Sequence, residues 1–193
     1  PDPHKEGQLA YRTVFFRDGG KGVDHLERFA VGPDRMKDIR LLQLADNSIL
    51  VAPRPQGPSL ETGGRGRVGL TYIKSLEELT PSKILQARII HNQVAQDEWL
   101  GVNQMHLLEN GDVLFVAHVA RYDMKKKVDV NGRLENPRDY YGAVFTLSNL
   151  TPKVYIERKD IDNLKGSAKR NDLLNVLFNG GWVNNGDGTA TAY

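Results

Sequence analysis

There is no cysteine among the 193 residues. Disulfide frameworks, thiolate zinc sites and cysteine nucleophiles are therefore excluded. No apolar run approaches the ~18 residues of a membrane span, and no signal peptide is visible. The protein is accordingly expected to be cytoplasmic and away from membranes. An excess of one charge is lacking too: 26 Lys and Arg stand against 24 Asp and Glu, a net +2. So close a balance argues against a nucleic-acid partner. No His, Asp and Glu cluster has metal-ligand spacing, so no metal is expected, and no other cofactor. Gly63-Gly64-Arg65-Gly66-Arg67 precedes a strand, not a helix, and reads as a flexible loop, not a phosphate cradle. Helical patterns are almost absent. Only Ser75 to Leu79, with a Ser75…Glu78 capping-box pattern, offers one turn before Pro81.

What is present is strand after strand. Short apolar runs recur at Thr13 to Phe16, Ile39 to Leu44, Ile49 to Ala52, Val68 to Ile73, Val113 to Val119, Ala143 to Leu147 and Lys153 to Ile156. Turn signals bound them: Gly19-Gly20, Asp46-Asn47, Asn110-Gly111, Asn131-Gly132 and Asn184 to Gly188. This is an all-β pattern.

The pattern also repeats. Lys37 to Leu44 with Ser48 to Arg54 matches Gly101 to Leu108 with Asp112 to His118, at an offset of about 64 residues. Arg54 then stands opposite His118. Gly69 to Ser75 matches Gly142 to Ser148, and each is followed by Leu-Thr-Pro, at Leu79 and at Leu150. Each Leu-Thr-Pro leads toward one more strand, Lys83 to Ile90 and Lys153 to Ile156. A third pair is expected from Leu173 to Phe178 and Thr189 to Tyr193. A tandem four-stranded antiparallel unit is a β-propeller blade. A β-sandwich is the competing fold, but it gives no reason for the repeat. The expected blades run from about 36 to 92 and 99 to 160, with partial blades at 8–31 and 172–193. That is about three blades in one domain. A five-bladed ring at roughly 65 residues per blade needs on the order of 325. The chain is thus expected to be the C-terminal part of a longer propeller, or to be completed by another chain in an oligomer.

In a propeller, polar residues at the start of each inner strand ring the channel mouth. Here these are Lys37, Asp38 and Arg40; Asn103, Gln104 and His106, with Trp99 just before; and Asp172 and Asn175. Strand alternation would put Asp38 and Arg40 on one face. The bland alternative is a structural Asp38–Arg40 or Lys37–Asp38 pair closing the blade. Arg54, between Pro53 and Pro55, suits a rigid turn that holds a guanidinium toward a polyol or anion; it could equally be a solvated loop residue. His118 reads first as a hydrogen-bonded core histidine. Trp99 offers a flat face for a sugar ring, with a plain core residue as the alternative. Residues 121–139, with six basic and four acidic side chains, read as a solvated hairpin.

Several segments resemble a known family. They are Gly32-Pro33, Met36 to Leu41, Arg54 to Gly57, Trp99 to Asn103, Tyr140-Tyr141, Gly180-Gly181 and Asp187 to Ala190. Together they resemble a family of five-bladed propellers similar in fold to the arabinanase, invertase and mannoside-phosphorylase group of carbohydrate enzymes. The resemblance implies a glycoside hydrolase or phosphorylase-like protein, with a carbohydrate ligand at the channel mouth. It implies Asp38 as the catalytic carboxylate. Arg40, Arg54, Trp99, Asn103, Gln104, His118 and Asn175 would bind substrate. The family pattern usually has Glu where Gln104 stands and Asp where Asn175 stands. Those amides can bind hydroxyls but cannot exchange a proton near neutral pH. A non-catalytic sugar-binding propeller is therefore a second expectation, and a protein-interaction propeller with no small-molecule activity a third.

Overall fold

The computed structural model describes residues 11–57, 64–161 and 168–193. Residues 8–10 of the first expected partial blade, residues 58–63 of the first expected full blade (Gly63 of the glycine-rich segment among them) and residues 162–167, between the expected blades at 99–160 and 172–193, lie outside the described residues. The fold is all-β, with fifteen described strands, one short α-helix and a few 3-10 turns. No helix among the described residues is long and apolar enough to cross a membrane.

The chain divides into two compact units. One comprises Pro1–Pro55 and Val68–Ile90, the other Gln56–Arg67 and His91–Tyr193.

In the first unit, β1 (Val14–Arg17) pairs antiparallel with β2 (Glu27–Val31). Four further strands form an antiparallel meander: β3 (Arg40–Gln43), β4 (Ile49–Ala52), β5 (Gly69–Ile73) and β6 (Arg88–Ile89). The β3–β4 turn is made by Asn47, at φ 67°. Asp46 Oδ1 closes it by accepting from Ser48 N (3.0 Å) and Ser48 Oγ (2.6 Å). Val51, Ile73, Ile39, Met36, Leu79 and Ile84 form the core.

Two sequence expectations change here. Lys83 to Ile90 is not one strand: Pro81–Leu85 is a helix, α1, and only Arg88–Ile89 pairs as a strand. Pro81 fits the first helical turn, where its missing N–H costs nothing, and Thr80 Oγ1 caps by accepting from Lys83 N at 3.3 Å. Ser75 makes no such capping bond; instead Glu78 Oε2 accepts from Lys74 N at 2.9 Å. The inner strand also starts later than expected. Asp38 lies before β3 with φ 57°, so strand alternation does not relate it to Arg40.

The second unit is built on longer strands: β7 (Trp99–Leu107), β8 (Val113–Tyr122), β11 (Arg138–Thr146) and β12 (Lys153–Ile156). They order β12-β11-β8-β7, all antiparallel. Between β8 and β11, β9 (Val128–Val130) and β10 (Arg133–Glu135) form the expected hairpin. Its turn uses Asn131 at φ 54° and Gly132 at φ 80°, the double positive φ of a tight hairpin turn. Two bulges interrupt the main sheet. In β7, Val102 faces Ala117 and Gln104 faces Val116, so Asn103 is the extra residue. Against β11, Gly142 faces Ile156 and Ala143 faces Val154, so Tyr155 is extra.

The C-terminal pairing also departs from expectation. Leu173 to Phe178 does not pair with Thr189 to Tyr193. Asn171–Leu173 is a 3-10 turn, and β13 (Asn175–Val176) runs parallel to the start of β11. The hairpin is instead β14 (Trp182–Asn184) with β15 (Ala190–Ala192). Polar anchoring explains the change. Asp172, fully buried, takes both Arg170 Nε (2.9 Å) and Nη2 (2.7 Å), with Arg138 3.7 Å away. Asn175 Nδ2 donates to Asp139 Oδ1 at 3.0 Å. Buried charge must be paired, and that pairing draws the segment to β11.

Candidate functional site

In the first unit the chemistry gathers at Asp38 and Arg54. Arg54 follows β4 between two prolines, and Pro53 O accepts from Gly69 N at 2.9 Å, which pins the turn to β5. Arg54 is 5 % exposed, so it is not the solvated loop residue that was one alternative. Its Nη1 lies 2.9 Å from Asp38 Oδ2. Its Nε is buried with no hydrogen-bond partner among the described residues. Asp38 holds a left-handed backbone, an uncommon conformation for a non-glycine residue. Arg40 Nη1 donates to Ile39 O at 3.3 Å.

In the second unit, the two bulges aim polar side chains at one point. A bulge turns a residue out of the ladder and re-aims its side chain. Asn103 Oδ1 accepts from His118 Nδ1 at 2.7 Å, and Asn103 Nδ2 donates to Asn179 O at 2.7 Å. Asn179 Nδ2 donates to the Tyr155 hydroxyl at 2.7 Å, which also takes Trp182 Nε1 at 3.3 Å. Gln104 Oε1 accepts from Trp182 N at 2.6 Å. Two glycines make room. A Cβ on Gly142 would lie 2.8 Å from Tyr155 Cζ and Ile156 Cγ2. One on Gly181, at φ 157°, would fall on Gln104 Oε1. His118, 1 % exposed, is a hydrogen-bonded interior histidine, with Tyr140 stacked on it at 5.6 Å and Phe178 at 4.9 Å.

Trp99 is 9 % exposed, and its ring is surrounded. Tyr122 lies at 5.1 Å, Tyr140 meets it edge-on at 5.7 Å, and the Arg65 guanidinium sits 5.3 Å from its centre. Arg65 and Arg138 both lie over Tyr122. Arg67, 3 % exposed, donates to Ala95 O at 3.0 Å and to Glu98 O, fixing the entry into β7. The basic residues of the glycine-rich segment are thus packed, not solvated.

A polar cleft of about 500 Å³ opens beside Tyr140 and Tyr141, lined also by Arg121, Asp139, Arg158 and Asn175. Behind it the Tyr141 hydroxyl donates to Glu98 Oε1. Burial, with the bonded Glu98 carboxylate second, pushes the Tyr141 phenol well above its usual range.

Of the residues expected at a site, Asp38 and Arg54 meet in the first unit. Asn103, His118 and Gln104 share one network in the second, Trp99 joins it through Tyr140, and Asn175 lies in the cleft. Sequence reading missed Asn179, Tyr155 and Trp182, and the Glu98–Tyr141 pair. A polar Asn179 between Phe178 and Gly180-Gly181 was the one local signal. Among the described residues no group of three or more His, Asp or Glu could hold a metal ion.

Three solved structures resemble the chain. A mannose phosphorylase, MPT-4, from Leishmania mexicana, solved with a phosphate ion, shares 28 % identity and a TM-score of 0.75 over 95 % of this chain and 54 % of that one. MPT-1, a GDP-Man-dependent mannosyltransferase from the same organism, shares 29 % identity and a TM-score of 0.72 over 98 % and 56 %. A hypothetical protein from Leishmania major shares 25 % and a TM-score of 0.68 over 95 % and 55 %. The chain thus spans about half the length of these proteins. No curated protein sequence matches it. One family pattern covers residues 1–193 in full, and the chain belongs to that family, DUF1861, described as a protein of unknown function.

Proposed function

We propose that this chain forms part of a carbohydrate-active protein that moves a mannosyl-type group by phosphorolysis or glycosyl transfer. The observation that carries this reading is the likeness, at 28 and 29 % identity over nearly the whole chain, to a mannose phosphorylase and a mannosyltransferase. In the same reading the two meanders are two blades of a five-bladed propeller, with β1–β2 and β14–β15 belonging to others.

The Asp38–Arg54 pair supports a catalytic role. A carboxylate on a strained backbone beside a buried guanidinium is costly, and such strain concentrates at functional sites. Asp38 is the acid–base group: it protonates the leaving glycosidic oxygen as a phosphate oxygen bonds to the anomeric carbon and the C–O bond breaks. In the reverse direction it takes the acceptor hydroxyl's proton. The buried Arg54 guanidinium holds that carboxylate in place. Asn103, Gln104 and His118 hold the second unit's wall in shape, and Trp99 orients Tyr140.

Incubation with manno-oligosaccharides, with and without inorganic phosphate, tests this by chromatography. Mannose 1-phosphate formed only with phosphate supports phosphorolysis. Free mannose formed without phosphate indicates hydrolysis. Transfer from GDP-mannose to a mannose acceptor supports the transferase branch. Oligosaccharide binding without any product leaves the second reading, a sugar-binding protein. The Gln104 amide favours that reading, because its oxygen is already committed to Trp182 N.

A further inference from the structure

We propose that the cleft walled by β8, β11, β12 and β13 is a binding site for a neutral saccharide. The inference rests on the carbohydrate reading and assigns sugar-binding residues within the second unit.

At about 500 Å³ the cleft is within the ~300–1000 Å³ range of small-molecule sites. Its chemistry selects the ligand. The Arg121 guanidinium is suspended between two carboxylates, 3.6 Å from Asp139 and 4.0 Å from Glu98. Both distances exceed a hydrogen bond. Asp139 is held by Asn175 Nδ2 on its other oxygen, at 3.0 Å. A fixed acceptor therefore stands beside a donor with unused N–H groups. A sugar hydroxyl both donates and accepts, so it can donate to Asp139 while accepting from Arg121. Two adjacent hydroxyls would engage the Asp139–Arg121 pair and the Asn175 amide together. The Tyr140 hydroxyl, which has no hydrogen-bond partner among the described residues, adds a further donor and acceptor.

The charge balance argues against an ionic ligand. Lys159 is spent on Glu157 at 2.8 Å, and Arg158 Nη1 donates to Ile161 O at 2.9 Å. Arg121 faces Asp139 and Glu98. An anion would meet these carboxylates, and a cation the arginines. An uncharged polyol meets neither penalty.

The test is calorimetric titration of the whole chain with mannose and linear manno-oligosaccharides, for wild type, Arg121→Ala and Asn175→Ala. Arg121 and Asn175 are exposed enough that both variants should fold, and their melting temperatures check this. Oligosaccharide affinity should fall about tenfold or more in each variant, as expected for losing a hydrogen bond to a charged or fixed polar group. Inorganic phosphate affinity should not change. Unchanged oligosaccharide affinity in both variants, with loss in Asp38→Asn, overturns the cleft and leaves the carbohydrate reading standing. Phosphate binding lost in Arg121→Ala overturns the neutral-ligand assignment. If the wild type binds no saccharide at all, the cleft and the carbohydrate reading fall together.

Discussion

Arg54 Nη1 lies 2.9 Å from Asp38 Oδ2, and Arg54 is almost wholly buried while Asp38 keeps a path to solvent. The two members of the pair are therefore not equivalent. Removing the carboxylate strands a buried cation, which typically costs about 3–5 kcal/mol. Asp38→Ala should unfold well below the parent in thermal melts. Asp38→Asn keeps an acceptor oxygen for Arg54 and should fold, yet lose turnover with manno-oligosaccharide and phosphate. If Asp38→Asn retains full activity per folded molecule, Asp38 is only a structural partner of Arg54.

The Asn103 side chain joins β7, β8 and the Asn179 segment. Asn103→Leu would take an acceptor from His118 Nδ1 and a donor from Asn179 O, both in the interior. Each buried hydrogen bond lost in this way costs about 1–3 kcal/mol. A loss of roughly 2–5 kcal/mol in chemical denaturation is expected. A drop below 1 kcal/mol would mean that the network contributes little to holding the C-terminal segment.

Gly142 is required for its missing side chain, not for its backbone. Its added methyl group would press on the Tyr155 ring, which Asn179 and Trp182 hold in place. Gly142→Ala should destabilise by about 1–3 kcal/mol, as overpacked sites do. The double variant Gly142→Ala with Tyr155→Ala should cost less than the two single changes summed, because the clash with the ring disappears and only that with Ile156 remains.

Tyr141 gives the stability a dependence on alkaline pH. Its phenol is raised in the folded state above the usual value of about 10, so the neutral form is favoured by folding. That contribution is complete below pH 10 and is lost as pH rises through and beyond it. Tyr141→Phe removes it. The stability difference between wild type and Tyr141→Phe should therefore shrink from about pH 9 to pH 11. A difference that stays constant over that range would show that the Glu98 bond does not hold the proton.

The sheets were legible because their signals are local. Asp46-Asn47 and Asn131-Gly132 sit at turns with positive φ, and short apolar runs became β3, β4, β8 and β11. The Pro81 helix was missed because one residue, Thr80, caps it, and an apolar run of Lys83 to Ile90 reads equally as strand. The C-terminal strand pairing was misread for a different reason. Asp172 and Asn175 choose β11 through partners at Arg138 and Asp139, more than thirty residues away. Of the candidate site, residue types next to strand starts were visible. What the sequence hid was direction. Asp38 and Arg54 lie on opposite sides of a turn, and the bulges at Asn103 and Tyr155 alter which way those side chains point. A one-residue change of phase leaves no trace in composition or in hydrophobic period.

The bulges can also be seen as insertions that the sheet itself does not need. A strand ladder of period two would run on without a break if Asn103 were deleted, with Val102 and Gln104 becoming neighbours in register. Deleting the residue should therefore harm the ladder less than its substitution harms the interior. The C-terminal segment, however, would lose its tether at Asn179. Asn103 and Tyr155 are thus spare letters in two strands, and Asn179 is tied to the sheet by both of them.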